Sequence, residues 1–245
     1  NMKLIWITQA GFIFETGSTR IVTDPYLSDA AEKKGFTRLI GPPLSVPQLK
    51  PTAIFCSHDH VDHLDPLSIP KIADSYPNCV FLGPTSVVKS LKEMGVNETR
   101  IRKLDKGEQT EVGLIRLTAT PAFHTDRYAV GLFVETQEFL IYLSGDTLNA
   151  PGFETDIRHL ANRRIDVAII CVNGRLGNMG GDDALRLVKG IEPRVVIPMH
   201  YGLFAENTVD PVPFVTSCRK AGFIATTLPI GLGIGIEDLL AGRLP

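Results

Sequence analysis

The chain has 245 residues, of which 44% are hydrophobic and 21% charged, with a net charge of −2 and a pI of about 6.3. This length allows a sizeable core in one large domain or two small ones, and the balanced charge argues against nucleic acid as the main partner. The absence of a long apolar run and of a secretory pattern before or after Met2, together with four widely spaced cysteines, predicts a reduced cytoplasmic protein without a membrane span.

The first quarter of the chain is dominated by short apolar runs that predict strands: KLIWIT (3–8), GFIFET (11–16) and TRIVTD (19–24). The pair Gly17-Ser18 suits a hairpin between the second and third of these strands. Residues 25–51 are rich in proline and predict a long irregular connection. Because long loops in compact domains are commonly functional, we expect this segment to form the rim of a functional site.

From residue 67 onwards, predicted strands and helices alternate. Helices are expected at 67–76 and 86–95 around a strand at 79–83, followed by strands at 110–122, 128–136 and 139–147. The remaining elements are helices at 155–163, 182–191 and 211–222 and strands at 166–172 and 194–199. Strands followed by a strand–helix alternation therefore occur twice. This pattern predicts an α/β fold in one domain over residues 1–245, with two β/α halves, sheets inside and helices outside.

The segment CSHDHVDHLDP, residues 56–66, holds three of the six histidines directly after the apolar run 53–56. A solvated histidine-rich loop would be the ordinary explanation. However, imidazoles mixed with carboxylates are the donors that a metal cluster needs. His58 and His60 are two apart and point the same way in an extended segment, while Asp62 and His63 follow on a tighter turn. Asp59 and Asp65 are expected to cap or to orient their neighbours.

Three further polar residues, His124, Asp146 and His200, each follow an apolar strand. Taken alone, each would be an ordinary histidine or a turn-capping aspartate. Together with the histidine segment they predict a shared metal site, since loops at strand ends commonly carry function. His159, inside a predicted helix, is expected to be an ordinary surface residue.

This set of residues resembles the metallo-β-lactamase superfamily, whose fold is an αββα four-layer sandwich. The resemblance implies two divalent ions: one held by His58, His60 and His124, the other by Asp62, His63 and His200, with Asp146 bridging both. The donors are all nitrogen and oxygen, which permits zinc and also suits Mn²⁺ or Fe²⁺.

Longer stretches, among them SGDT, NGRLGNMGGDDALRL and VIPMHYGLFAENTVDP, are similar to the branch that contains the L-ascorbate-6-phosphate lactonases. This similarity implies a lactonase-like hydrolase, with manganese favoured, that opens a lactone or ester of a small, phosphorylated or unphosphorylated sugar acid. A hydroxide shared by the two ions would attack the carbonyl, and Asp62 would orient it or carry a proton to the leaving alkoxide.

The substrate contacts are predicted from the loops after two buried strands: Asn173, Arg175, Asn178 and Tyr201. Arg175 would pair with a phosphate or carboxylate. The asparagines could equally serve turn geometry, and Tyr201 could simply be packed.

Several other functions are compatible with the same ligands. A phosphodiesterase or nuclease would need a more basic surface, a β-lactamase typically has cysteine in place of Asp146, and a non-catalytic metal protein would be favoured by a missing ligand. We expect a small-molecule substrate. A homo-oligomer could form through residues 25–51 or the apolar tail 228–240, although both could equally pack on their own chain.

Overall fold

The computed structural model describes residues 1–243, which contain two mixed β-sheets. The strands are β1 Lys3–Trp6, β2 Phe12–Thr16, β3 Thr19–Thr23, β4 Ala53–Phe55, β5 Val80–Gly83, β6 Ile101–Lys103, β7 Gln109–Val112, β8 Ile115–Pro121, β9 Val130–Glu135, β10 Leu140–Leu143, β11 Val167–Cys171, β12 Val195–Met199, β13 Ile224–Ala225 and β14 Gly233–Gly235. One sheet has the order β14-β1-β2-β3-β4-β5-β6, and the other has the order β13-β12-β11-β10-β9-β8-β7.

Both sheets are built on the same plan. In the first sheet β1, β2 and β3 pair antiparallel, and β3 to β6 pair parallel. In the second sheet β7 to β10 pair antiparallel, and β10 to β13 pair parallel. The two predicted β/α halves are therefore the two sheets, except that β14 returns to the first sheet.

Helices follow the strands in both halves. They are α1 Val46–Leu49, α2 Ile69–Ser75, α3 Thr85–Glu93, α4 Phe153–Leu160, α5 Gly181–Ile191, α6 Val212–Lys220 and α7 Ile236–Leu240, with 3-10 turns at Ala30–Lys34 and Glu98–Arg100. α2 begins two residues later than predicted, at Ile69. Asp65 caps the turn before it, as expected, because its carboxylate accepts the backbone N–H groups of Leu67 and Ser68 at 3.0 and 3.2 Å. Within residues 1–243, the helices are too short or too polar to cross a bilayer.

Alternation along the strands defines the four layers. On β2, Phe12 and Phe14 are buried in the core between the sheets, whereas Ile13 is buried on the opposite face with residues of α2 and α3. On the outer face of the second sheet, α4, α5 and α6 pack against one another and against β8, β11 and β12. Helices thus cover both outer faces, which confirms the αββα sandwich.

Three regions differ from the predicted pattern. The run 110–122 is two strands, because Gly113 adopts a left-handed φ of 56° and turns β7 into β8. The connection 25–51 contains α1 and a 3-10 turn. The apolar tail packs on its own chain, where β14 pairs with β1 and places Ile234 opposite Leu4. All four cysteines are buried free thiols, in agreement with the reduced state predicted from their wide spacing.

Candidate metal centre

The fold gathers all seven predicted ligands at the carboxyl ends of strands. The histidine segment follows β4, His124 follows β8, Asp146 follows β10 and His200 follows β12. Their donor atoms form three overlapping groups in which all atoms lie within 4.8 Å of one another: His58, His60 and His124; His58, His63 and Asp146; and Asp62, His63 and His200. The first and third groups have the composition that the sequence predicts for the two metal sites.

Asp146 lies between these two groups. Its Oδ2 is 3.1 Å from His200 Nε2, 3.4 Å from His63 Nε2 and 3.9 Å from His124 Nε2. One carboxylate oxygen therefore faces histidines of both groups, which is the position that a bridging ligand requires. The side-chain amide of Asn178 donates a hydrogen bond of 2.8 Å to the same oxygen and holds it in place.

Asp62 belongs to the group Asp62, His63 and His200, called the second ligand group from here on, as the group His58, His60 and His124 is called the first. Its Oδ2 is 3.5 Å from both His63 Nε2 and His200 Nε2. The Asp62 side chain is 17% exposed, whereas the two imidazoles are almost completely buried. Asp62 is thus the member of this group that faces the outside.

A buried aspartate, Asp24, sets the tautomers of two ligands. His63 Nδ1 lies 2.8 Å from Asp24 Oδ2, and because a carboxylate oxygen accepts, Nδ1 carries a proton and Nε2 is the nitrogen that faces the other ligands. The Ser57 hydroxyl donates to Asp24 over 2.7 Å. Because the hydroxyl proton is used in this bond, the hydroxyl oxygen accepts from His58 Nδ1 at 3.0 Å. His58 Nε2 is therefore the ring nitrogen that keeps a free lone pair.

His124 and His60 face each other in the first group. His124 Nδ1 is 3.1 Å from the Gly177 carbonyl oxygen, which can only accept, so Nδ1 carries a proton and the other ring nitrogen, Nε2, faces the cluster. This nitrogen lies 3.2 Å from His60 Nδ1. His60 therefore presents Nδ1 to the cluster, and its Nε2 contacts the Thr125 hydroxyl at 3.3 Å.

Ligand atoms without a hydrogen-bond partner in this cluster fit a divalent cation. Among the described residues, the buried Nε2 atoms of His58 and His63 have no hydrogen-bond partner. Buried polar atoms without a partner are costly, so a cluster of them that faces two carboxylates needs a positive centre. Imidazole nitrogens and carboxylate oxygens at these separations supply what zinc, manganese or iron would take.

Electrostatics favour the same conclusion. Burial, assisted by neighbouring histidines, holds the pKa of His58 well below its usual value, so this imidazole is neutral. Burial alone would raise the pKa of Asp146, but His200 and His63 outweigh it and hold this pKa well below its usual range. Burial opposes charge on His63 as well, yet the carboxylates of Asp146, Asp62 and Asp24 raise its pKa well above normal. These carboxylates thus create a strong preference for positive charge.

Strained backbone fixes the residues around the centre. Gly145, just before Asp146, has a φ of 61°, and a Cβ there would lie 2.7 Å from the Val130 carbonyl oxygen. His200 itself has a φ of 68°, and its backbone N–H donates to the carbonyl oxygen of Gln9 at 3.1 Å. Left-handed non-glycine residues of this kind cluster at functional sites, where the surrounding structure over-determines them.

The cluster opens into a cavity of about 470 Å³. Ala31, Lys34 and Phe36 line one side, which confirms that the connection 25–51 forms part of the rim. The other lining residues are His60, Val61, Asp62, His124, Thr125, Asp146, Leu176, Gly177, Asn178, His200, Phe204 and Asn207. This volume is in the usual range for a small-molecule site.

The four predicted substrate contacts are placed differently. Asn178 lines the cavity, and Asn173 supports it from behind by accepting from Asn178 at 3.0 Å. The Arg175 guanidinium instead donates to the Glu206 carbonyl oxygen at 3.2 Å, and the ring of Tyr201 packs 4.9 Å from that of Trp6. The structure therefore brings neither Arg175 nor Tyr201 to the cavity wall.

Sequence reasoning missed several residues that contact the ligands, among them Asp24, Ser57 and Gln9. Asp24 directly follows β3, and Gln9 lies in the turn after β1, so both obey the strand-end pattern used for the ligands. A single polar residue at a strand end is too common to be singled out. Asp59, by contrast, is exposed and neighbours Asp126 rather than a ligand, with its backbone N–H 3.3 Å from Asp126 Oδ2.

Two sheets with this cluster at one edge define a class of metal-binding α/β sandwiches, and comparison with known proteins gives the family. A model described as a beta-lactamase superfamily domain matches residues 19–201. A UPF0173 metal-dependent hydrolase from Pyrobaculum islandicum is 31% identical over 87% of this chain and 90% of its own length. The chain belongs to the metallo-β-lactamase superfamily and, within it, to the UPF0173 metal-dependent hydrolase family.

Solved structures share the fold at lower identity. Igni18, a metallo hydrolase from Ignicoccus hospitalis, superimposes with a TM-score of 0.75 at 21% identity over 95% of this chain and 97% of its own. An isothiocyanate hydrolase from Delia radicum gut bacteria gives a TM-score of 0.78 at 18% identity, over 96% and 98% of the two chains. The narrower resemblance to the ascorbate-6-phosphate lactonases stays a prediction.

Proposed function

We propose that this metal-dependent hydrolase opens a lactone or ester of a small acid, with two divalent ions in the centre. The observation that carries the proposal is the pair of ligand groups joined by Asp146 at the base of a cavity of small-molecule size. His58, His60 and His124 would hold one ion, and Asp62, His63 and His200 the other. Bound there, the ions would supply a water nucleophile at neutral pH and stabilise developing negative charge.

Asp62 is the residue of the chain best placed to handle a proton. It lines the cavity, and although burial opposes its charge, His63 and His200 outweigh burial and lower the pKa of its carboxyl. An ionised carboxylate at this position can orient the attacking water, accept a proton from it and pass that proton to the leaving alkoxide. The apolar wall formed by Phe36, Val61 and Phe204 limits access of bulk water.

The finer assignment, a phosphorylated sugar acid as the substrate and manganese or zinc as the metal, with iron also compatible, is supported by resemblance and by donor chemistry. Lys34 is the cationic side chain among the described residues that line the cavity. It is therefore Lys34, rather than Arg175, that we propose to pair with a phosphate or carboxylate of the substrate.

The test is to load metal-free protein with Mn²⁺ or Zn²⁺ and to follow ring opening of L-ascorbate 6-phosphate, simple lactones and p-nitrophenyl esters. His60→Ala serves as the blank. We expect metal-dependent hydrolysis that is lost in the blank. Hydrolysis of lactones or esters but not of L-ascorbate 6-phosphate would remove only the sugar-acid assignment. Activity confined to phosphodiesters would replace the proposal with a phosphodiesterase, and tight binding of fewer than two ions would overturn the two-metal centre.

A further inference from the structure

Gln9 lies against the second ligand group, although no predicted ligand belongs to its turn. Its side chain is completely buried. The terminal nitrogen Nε2 lies 2.8 Å from Asp62 Oδ2 and 3.3 Å from His200 Nε2. The side-chain amide thus contacts two of the three residues of the group Asp62, His63 and His200.

The turn that carries Gln9 is tightly constrained. Thr8 and Gln9 both have left-handed φ angles, 84° and 52°. The Gln9 carbonyl oxygen accepts from Trp6 Nε1 and from the His200 backbone N–H, each at 3.1 Å. The side chain is therefore aimed at the cluster by a strained backbone that is locked to a ligand residue, which is typical of a functional position.

The separations around the amide are those of atoms that share one cation. Ligand atoms at about 2.0–2.2 Å from an ion stand roughly 2.8–3.6 Å apart in tetrahedral or octahedral geometry. Asp62 Oδ2 is 3.5 Å from each of the His63 and His200 Nε2 atoms. The terminal amide atom of Gln9, at 2.8 and 3.3 Å from its neighbours, comes close to the same spacing.

To act as an oxygen ligand, the amide would need the opposite orientation. As placed, the amide nitrogen lies 3.3 Å from His200 Nε2, the atom that an ion would need, while the buried Oε1 has no hydrogen-bond partner among residues 1–243. A half turn about the last side-chain bond exchanges the oxygen and nitrogen with little change in shape. The turned amide gives up the hydrogen bond from Nε2 to Asp62 Oδ2. An ion held by Asp62 and His200 would compensate for that loss, because the amide oxygen would then face the cation.

We propose that Gln9 supplies its side-chain amide oxygen as an additional ligand of the second ion, beside Asp62, His63 and His200. This assignment rests on the proposed two-metal function. A neutral oxygen donor would add a fifth residue to the four assigned to this ion, the bridging Asp146 included, and suits Mn²⁺ or Fe²⁺, which take oxygen ligands readily.

Metal binding tests the assignment without reference to activity. Metal-free wild type, Gln9→Met and Gln9→Glu are titrated with Mn²⁺ by calorimetry, and bound metal is counted after gel filtration. Methionine keeps the length of the side chain but removes the amide oxygen, whereas glutamate restores an oxygen with negative charge. Gln137→Met, which changes an exposed glutamine, is the matched control, and circular dichroism checks the fold of each variant.

We expect Gln9→Met to weaken the second ion by at least about tenfold while the first ion binds within about twofold of wild type, and Gln9→Glu to restore or tighten the second ion. Two ions bound by Gln9→Met as tightly as by wild type would overturn the assignment. Equal weakening in both variants would also overturn it, because it would mean that the amide acts as a hydrogen-bond donor to Asp62. Fewer than two ions on the wild type would instead show that the two-metal proposal itself fails.

Discussion

At the scale of single residues, Asp24 orients imidazoles of both ligand groups although it is not itself a predicted ligand. It accepts from His63 Nδ1 directly and controls His58 through the Ser57 hydroxyl. One carboxylate therefore fixes the protonated nitrogen of an imidazole in each ligand group. Such partners orient ligands and raise their basicity, so their loss is felt as a loss of metal affinity.

Replacement of Asp24 by asparagine is expected to weaken metal binding by about 10- to 100-fold. Asparagine has nearly the same shape but replaces one accepting oxygen with a donor, which opposes the protons of Ser57 or His63. The measurement is the Kd for Mn²⁺ or Zn²⁺ by calorimetry. Asp74→Asn, on the exposed face of α2, is the control and should bind as wild type does; equal affinities in the two variants would contradict the role of Asp24.

The ligand set could be predicted at this scale because the histidine segment, together with His124, Asp146 and His200 after other strands, matches the ligand pattern of the metallo-β-lactamase superfamily. The contacts of Gln9 and Asp24 could not, since a lone polar residue after a strand has many uses. Arg175, which was predicted to contact the substrate, shows a second limit of sequence reasoning. A sequence places this arginine in the right loop, but the direction of a long side chain depends on neighbours such as Glu206.

At the scale of elements, the ends of β9 and β10 are held together by close backbone approach. The left-handed Gly145 follows β10 and lies against the Val130 carbonyl oxygen at the start of β9. Asp146 is the next residue. The position of the Asp146 carboxylate, which lies between the two ligand groups, therefore depends on Gly145, where no side chain fits.

Gly145→Ala is expected to lower the free energy of unfolding by roughly 2–5 kcal/mol, from left-handed strain together with the clash at Val130. Gly95→Ala is the matched control, because Gly95 has a φ of 81° but open space around its Cβ position. It should cost only about 1–2 kcal/mol. Urea unfolding of both variants in the same metal-loaded state measures the difference, and similar losses would mean that packing at Gly145 is unimportant.

The type of most elements was predictable, since apolar runs and helical patterns are long enough to be recognised. The split of 110–122 into β7 and β8 was not, because a two-residue turn at Gly113-Leu114 barely interrupts an apolar run. The pairing of β14 with β1 joins residues more than two hundred positions apart, and no local pattern encodes such a partner.

At the scale of the whole molecule, the metal centre joins the two sheets. The histidine segment extends from the first sheet, whereas His124, Asp146 and His200 extend from the second. Metal ions that bind ligands from both sheets would therefore bind the folded chain far better than the unfolded one. Ligand binding of this kind raises the stability of the entire fold.

Removal of metal by a chelator is expected to lower Tm, and addition of Mn²⁺ or Zn²⁺ to restore it. An ion at 100 times its Kd stabilises the folded chain by about 2.7 kcal/mol for each site. At roughly 2–4 °C per kcal/mol for a chain of this size, one filled site should raise Tm by about 5–10 °C. His58→Ala should reduce this shift and His159→Ala, on the exposed face of α4, should keep it; no shift in the wild type would contradict a centre that joins the sheets.

The return of β14 to the first sheet also bears on how the protein folds. During synthesis β1 to β6 leave the ribosome first, but the strand that covers the free edge of β1 comes after the entire second sheet. Until then β1 presents unpaired backbone groups of the kind that recruit foreign strands. Non-local pairing of this sort slows folding. The nascent first half is therefore expected to depend on chaperones, or on rapid completion of the chain, to avoid aggregation.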